Sequence, residues 1–402
     1  TTPMNATLAA SLVDICLLPE MSIDIEKVLE HAVHLMRTKK HAVIVVAEGC
    51  GDTIMQNSSQ SALDANAVGP RAVGEGTDAG GNKKLADVGP FMKNVLTARF
   101  KQLNIPLTIK FIDPTYMIRS VPANSYDSNY CATLAQNAVH GAMAGFSGVT
   151  VGKINGRMVY LPIYAITKQK GKRVDINGSW YLRMMHSTKQ PDFSPATPVQ
   201  LMHEPAGPEN VLCTLSTPAS INTVLQVGDE IRRLEVTNLK EIFPSAMVPN
   251  PTTDQFVGSN SWACTTLKQE NKRDTRGKTY IQLLRGGPRE HLHFNPRKSA
   301  ACIVTCGGLC PGLNSVIREL TLMLLSYGVP RIYGCIGGYK GLVEPEKWIT
   351  LTADYVRDIH LQGGSVLVSD RGNPPHDDIA KSLASMNIRQ YFVLGGDGTH
   401  KG

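Results

Sequence analysis

The sequence predicts an α/β protein built on parallel sheet, and three observations predict it. Short β-type runs alternate with amphipathic helical periods, most plainly from residue 298 onward. Two of those runs, residues 301–305 and 391–394, pass directly into glycine-rich turns. After the first turn Leu313, Val316, Ile317, Leu320 and Leu324 fall on one helical face. Alternating β and α elements form a parallel sheet that binds ligands at the carboxyl edge of its strands.

Taken in order, the elements have local reasons. Ile25, Val28, Leu29, Ala32 and Met36 make a helical stripe, with Asp24 or Ser22 available to cap it. A β run over 41–46 ends at Glu48-Gly49. Residues 56–84 are rich in Gly, Ser, Asn and Ala and read as a surface loop. Val88, Met92, Val95 and Leu96 give a second stripe, with Pro90 tolerated in the first turn. A strand is expected over 107–112, leading into Asp113-Pro114, then a helix of small residues over 132–145. Asn155-Gly156 signals a type I′ hairpin between 149–151 and 158–163. Later come strand 332–334, helix 352–361, strand 366–368, a helix near 378–386 and strand 391–394.

Composition narrows the function. With 402 residues there is length for two or more domains. The longest purely apolar run, 42–47, is far short of the ~20 residues a spanning helix needs. Residues 6–19 contain Asp14 and follow no basic residue, so they do not read as a secretion signal. Nine scattered cysteines fit reduced thiols, and a soluble, cytoplasmic protein is expected. The regular spacing of Cys302, Cys306 and Cys310 raises a metal cluster, which a strand entering a tight loop disfavours. The net charge of +7 is gathered at 37–40, 168–173 and 268–278, in polar stretches without interleaved aromatics. These read as solvated faces, so neither nucleic acid nor membrane is expected as a partner.

The two turns, Cys306-Gly307-Gly308-Leu309-Cys310-Pro311-Gly312-Leu313-Asn314 and Gly395-Gly396-Asp397-Gly398-Thr399, carry the chemistry. Glycines remove Cβ atoms, so backbone N–H groups can close on phosphate oxygens, and the helix N-terminus after the first turn favours an anion. Asp397 offers a hard oxygen ligand for Mg²⁺. Each turn alone is equally compatible with tight strand-to-helix packing, and Gly-Gly-Asp-Gly-Thr also occurs in NAD and diacylglycerol kinases.

With Gly337-Gly338-Tyr339-Lys340-Gly341 between them, the two turns resemble the N-terminal half of a phosphofructokinase of the plant and kinetoplastid type. Bacterial members usually carry Asp where Leu309 stands. Residues 1–195 resemble the C-terminal half of the same family, through 14–20, 41–49, 112–124, 134–152 and Asn155-Gly156-Arg157. Residues 196–297 look like the N-terminal extension of a second copy, and 298–402 like its nucleotide-binding half. The resemblance implies incomplete three-layer, parallel-sheet domains joined by a less regular linker, an ATP-dependent 6-phosphofructokinase activity and a homo-oligomer in the intact family.

It also implies roles. Gly308, Tyr339, Arg371, Gly396, Asp397, Gly398 and Thr399 would serve ATP, with Asp397 holding Mg²⁺. Glu20, Lys110, Tyr116 and Arg119 would serve fructose 6-phosphate, Arg119 by bidentate contact with its phosphate. Pyrophosphate-dependent relatives generally have Asp where Gly398 stands, so ATP is the expected donor. The family's general base lies in a Thr-Ile-Asp-Asn-Asp stretch between the Gly-Gly-Asp-Gly-Thr turn and a Met-Gly-Arg segment, and this sequence contains neither. With eight residues after Leu394 and an abrupt start, both ends are expected to be cuts. Weak or absent turnover is therefore expected of this chain alone, the alternatives being a non-catalytic binding remnant or a pyrophosphate-dependent enzyme.

Overall fold

The computed structural model describes residues 2–51, 54, 85, 87–168, 173–195, 230–265, 279–370, 372–396 and 398–400. Packing divides the chain into two units, Thr1–Asp113 with Gly171–Ala206, and Pro114–Lys170 with Gly207–Gly402. These units do not follow the divisions at 195 and 297 drawn from the resemblance. Residues 114–170 fold with the later part of the chain.

The first unit holds α1 (Thr2–Ala10), β1 (Ile15–Leu17), α2 (Ile25–Thr38), β2 (Ile44–Val46) and α3 (Val88–Gln102). Helix α2 starts because the Asp24 carboxylate accepts the Glu26 N–H at 3.0 Å. It buries Ile25, Val28, Leu29 and Ala32 as its period requires. Helix α3 takes Pro90 in its first turn and buries Phe91, Met92, Val95, Leu96 and Phe100. Strands β1 and β2 pair in parallel, Cys16 opposite Val45. On the other side of β1, the buried Gln190 amide accepts from Cys16 N at 2.6 Å and donates to Cys16 O at 3.1 Å. The expected strand over 107–112 is not a strand. Ile105, Leu107 and Ile109 do alternate inward against the core, but the stretch joins none of the sheets among the described residues. The expected loop at 56–84 lies outside the described residues.

In the second unit, α4 (Ser125–Met143) is capped by Asn124, whose side chain accepts from Asp127 N at 2.9 Å. Asn155 and Gly156, at φ 47° and 75°, turn β3 (Val149–Ile154) into β4 (Arg157–Pro162) as the sequence predicts. This hairpin continues into a mixed sheet through β5 (Glu230–Leu234), β6 (Trp262–Cys264) and β7 (Thr279–Arg285). Leu284 stands opposite Tyr160, and β7 pairs in parallel with β5. Three stretches of the segment expected to be a less regular linker, 230–234, 262–264 and 279–285, are strands.

The other sheet of this unit is the expected parallel one. Strand β8 (Ala300–Thr305) lies between β9 (Arg331–Cys335) and β11 (Gln390–Leu394), both parallel to it, and β10 (Ile349–Thr350) closes one edge antiparallel. Helix α5 (Leu313–Tyr327) follows β8, and α6 (His376–Ser385) precedes β11. Six consecutive buried residues in β8 mark a strand covered on both faces. Ala301 and Ile303 face α4 and α5 through Ala135, Val139, Ile317 and Leu320. Cys302 and Val304 face Cys335 and Leu342. Buried His140 Nδ1 meets the Tyr327 hydroxyl at 2.7 Å, joining α4 to α5.

Two expectations fail here for local reasons. Residues 352–361 form turns and a single 3₁₀ turn, Ile359–Leu361. The Thr352 hydroxyl accepts the Tyr355 N–H at 3.1 Å, offering the backbone an alternative to a helix. Residues 366–368 are a tight turn. Asn314 Oδ1 takes the Val366 N–H at 2.9 Å and Ser365 O takes the Val368 N–H at 3.1 Å, so donors a ladder needs are used locally. Among the described residues no helix is long and apolar enough to cross a membrane.

Candidate phosphate-binding site

The carboxyl ends of β8 and β11 are held side by side, because Cys306 N donates to Leu394 O at 2.8 Å. Both glycine turns therefore begin at the same edge of the sheet. Gly307 adopts φ +80°, and its carbonyl accepts a hydrogen bond from the Ser369 hydroxyl. Gly312 caps α5 at φ +97°, and a Cβ there would lie 2.5 Å from Cys131 Sγ of α4. Both the left-handed backbone and this close approach require glycine.

The second turn folds back on itself. A Cβ on Gly395 would lie 2.2 Å from Thr399 Oγ1, while one on Gly396 would meet open space. Thr399 N donates to Gly396 O at 3.0 Å, and Thr399 Oγ1 reaches within 3.4 Å of the Cβ position of Gly307. The Tyr339 hydroxyl donates to Thr399 O at 2.9 Å, and burial pushes its pKa up to about 12, so it stays a donor at neutral pH. Tyr339→Phe is expected to cost about 1 kcal/mol and to speed amide exchange at Thr399 and His400. Unchanged exchange would show that the hydroxyl does not hold the turn.

Arg119 completes the cluster. It ends the short helix Thr115–Arg119, and its Nη1 lies 3.5 Å from where Gly308 would carry a Cβ. Gly308 and Arg119 are both exposed, leaving the guanidinium and the loop backbone open to a ligand. Gly308, Gly396, Gly398, Thr399, Tyr339 and Arg119 all belong to the second unit. Arg371, Asp397 and the Tyr116 side chain lie outside the described residues.

Glu20 and Lys110 belong to the first unit. Glu20 Oε1 accepts the Val174 N–H at 2.9 Å, and its buried Oε2 has no hydrogen-bond partner among the described residues. Lys110 is exposed. The three regularly spaced cysteines separate, with Cys302 and Cys306 in an apolar cluster beside Cys335 and Cys310 exposed on the loop. Burial pushes the Cys306 thiol up to about 11 and the Cys335 thiol up to about 12, keeping both protonated at neutral pH.

Some residues at the site carry no motif signal. The Thr305 hydroxyl meets Ser365 Oγ at 2.9 Å and donates to Val368 O at 2.7 Å. Val368 sits at φ +56°, an unfavourable conformation for a β-branched residue. Its neighbour Ser369 is the residue that holds Gly307. Only the two serines that bracket 365–369 hint at this in the sequence.

A family model for phosphofructokinase matches residues 300–402, the region of the parallel sheet and both turns. Through this region the chain is similar to the phosphofructokinase family. Over 193 residues the chain is 42% identical to ATP-dependent 6-phosphofructokinase 5, chloroplastic, of Arabidopsis thaliana, covering 47% of this chain and 33% of that one. It is 38% identical over 189 residues to the ATP-dependent 6-phosphofructokinase of Amycolatopsis methanolica, covering 46% and 39%. With the Entamoeba histolytica ATP-dependent 6-phosphofructokinase it shares 48% identity over 151 residues, covering 37% and 34%. The matches therefore span about a third to two-fifths of the length of these phosphofructokinases.

Proposed function

We propose that the second unit is the phosphate-handling part of an ATP-dependent 6-phosphofructokinase, binding Mg-ATP at the glycine turns and the phosphate of fructose 6-phosphate at Arg119. The observation that carries this reading is the Arg119 guanidinium set against Gly308, one positive side chain at a loop built to admit an anion. Backbone N–H groups of the two turns and the start of α5 would hold the nucleotide phosphates. The planar fork of Arg119 suits two parallel hydrogen bonds to a phosphate. Arg371 would add charge on the nucleotide side, and Asp397 is the carboxylate that would hold Mg²⁺, the ion that neutralises charge on the transferring group. Gly398, where a carboxylate would repel an α-phosphate, supports ATP over pyrophosphate.

Glu20, Lys110 and Tyr116 are proposed sugar-side groups in a homo-oligomeric enzyme. The sequence given holds no Thr-Ile-Asp stretch, so the proposal is of binding with weak or absent turnover. Lack of a general base costs ~10²–10⁴ in rate.

Two measurements on the 402-residue chain test this. Calorimetric titration is expected to show Mg-ATP and fructose 6-phosphate binding, the latter weakened about tenfold or more by Arg119→Met, as loss of a charged hydrogen bond requires. Product formation from fructose 6-phosphate is expected to be low with ATP and lower with pyrophosphate. A vigorous rate with ATP would mean that another carboxylate serves as base. Binding of neither ligand would overturn the reading.

A further inference from the structure

On the same sheet, away from the glycine turns, the starts of β8 and β11 border a cavity of about 370 Å³. Its wall includes Phe243, Ser245, His293, Lys298, Ser299 and Arg389, all of the second unit. Arg389 N donates to Ala300 O at 2.8 Å, fixing the two strand starts next to each other, and both Arg389 and Lys298 line the cavity. Among the described residues neither cationic side chain makes an ion pair or a hydrogen bond, and no Asp or Glu lines the cavity. Unpaired like charges around one hollow repel each other, and an anion placed between them relieves that repulsion.

The remaining lining says more about the ligand. His293 is held in place by the Ser245 hydroxyl, with Oγ 3.1 Å from Nδ1 and 3.2 Å from the His293 carbonyl oxygen. Burial and the nearby Lys240 hold the imidazole below its usual range, so at neutral pH it adds no charge. Phe243 presents its ring at 64% exposure, a large apolar surface left in water at the mouth of a basic pocket. Cations beside an open aromatic face suit a ligand with an anionic end and a flat apolar end.

We propose that this cavity is a binding site for a small aromatic monoanion or dianion, an aryl or heteroaryl phosphate, separate from the glycine turns. The phosphate would lie between Lys298 and Arg389, and the ring on Phe243. The strands that begin beside the pocket are the ones that end in the glycine turns.

The test is calorimetric titration of the full 402-residue chain with phenyl phosphate, and in parallel with inorganic phosphate. The expected result is one phenyl phosphate site, weakened about tenfold or more in the Lys298→Gln, Arg389→Gln double variant. Phe243→Ser should weaken phenyl phosphate and leave inorganic phosphate unchanged. With the glycine turns and Arg119 filled by saturating Mg-ATP and fructose 6-phosphate, both results should persist. Both lining cations are exposed, so the double variant should keep its circular dichroism spectrum and melting temperature. Loss of phenyl phosphate binding under that saturation, with retention in the double variant, would place the ligand at the glycine turns and overturn the proposal. Equal affinity for phosphate and phenyl phosphate would overturn the aromatic half of it, and no binding at millimolar phenyl phosphate would overturn all of it.

Discussion

Gly338→Ala should destabilise the second unit by about 3 kcal/mol, the sum of left-handed strain and overpacking. Gly338 sits at φ +66°, and a methyl group there would lie 2.5 Å from the Asp370 carbonyl oxygen and 3.1 Å from its nitrogen. Backbone atoms cannot rotate away as a side chain can. Asp370 bridges Cys306, and its neighbour Ser369 holds Gly307, so the displacement would reach the first glycine turn. The neighbouring Gly337 gives an internal control. It is also left-handed, at φ +87°, but a Cβ there meets nothing within 4 Å. Gly337→Ala should cost only about 1 kcal/mol, the strain alone. Urea unfolding of the two variants measures the difference, and equal losses would mean that the contact with Asp370 is not confining.

Acid should weaken the second unit through His140. Burial and the Arg289 guanidinium push this imidazole down to about 4 in the folded chain, from an ordinary value of 6.5. The neutral ring meets the Tyr327 hydroxyl, and a charged ring would have to be held at the α4–α5 interface without an anion. Between those two values the unfolded chain takes up a proton that the folded chain refuses. The contribution is therefore complete above about pH 6.5 and is lost as pH falls towards 4, amounting to about 3 kcal/mol. Unfolding free energies of wild type and His140→Gln at pH 7 and pH 4.5 isolate it, since the other histidines are common to both. The wild type should lose more on acidification by about 2–3 kcal/mol. Parallel pH dependence of the two would show that His140 is not buried as a neutral ring.

Local chemistry explains what could be read in advance. The Asp24 cap, Pro90 in a first turn, the Asn155-Gly156 hairpin and the strand-to-glycine junctions at Thr305 and Leu394 are each set by a few adjacent residues. Periodicity misled where it lacked a partner. Leu107 and Ile109 alternate inward as strand residues do, yet a ladder needs a second strand and none pairs there among the described residues. The turn at 366–368 depends on Asn314, which is distant in sequence and whose amide also donates to Gln362 O at 3.0 Å. At the site, the glycines announce themselves, but the approach of Arg119 to Gly308 joins residues far apart in the sequence. Nothing within either motif encodes it.

The Gln190 amide has a consequence for how the first unit meets other chains. A strand at the margin of a sheet offers its free peptide groups to any extended segment that drifts past. Strand β1 is three residues long, and Cys16, its central residue, has both its N–H and its carbonyl engaged by one side chain. That amide mimics a single residue of a neighbouring strand, at a place where a real one could recruit a stranger. Gln190 thus takes up the two peptide groups of Cys16 that an added strand on that side of β1 would need.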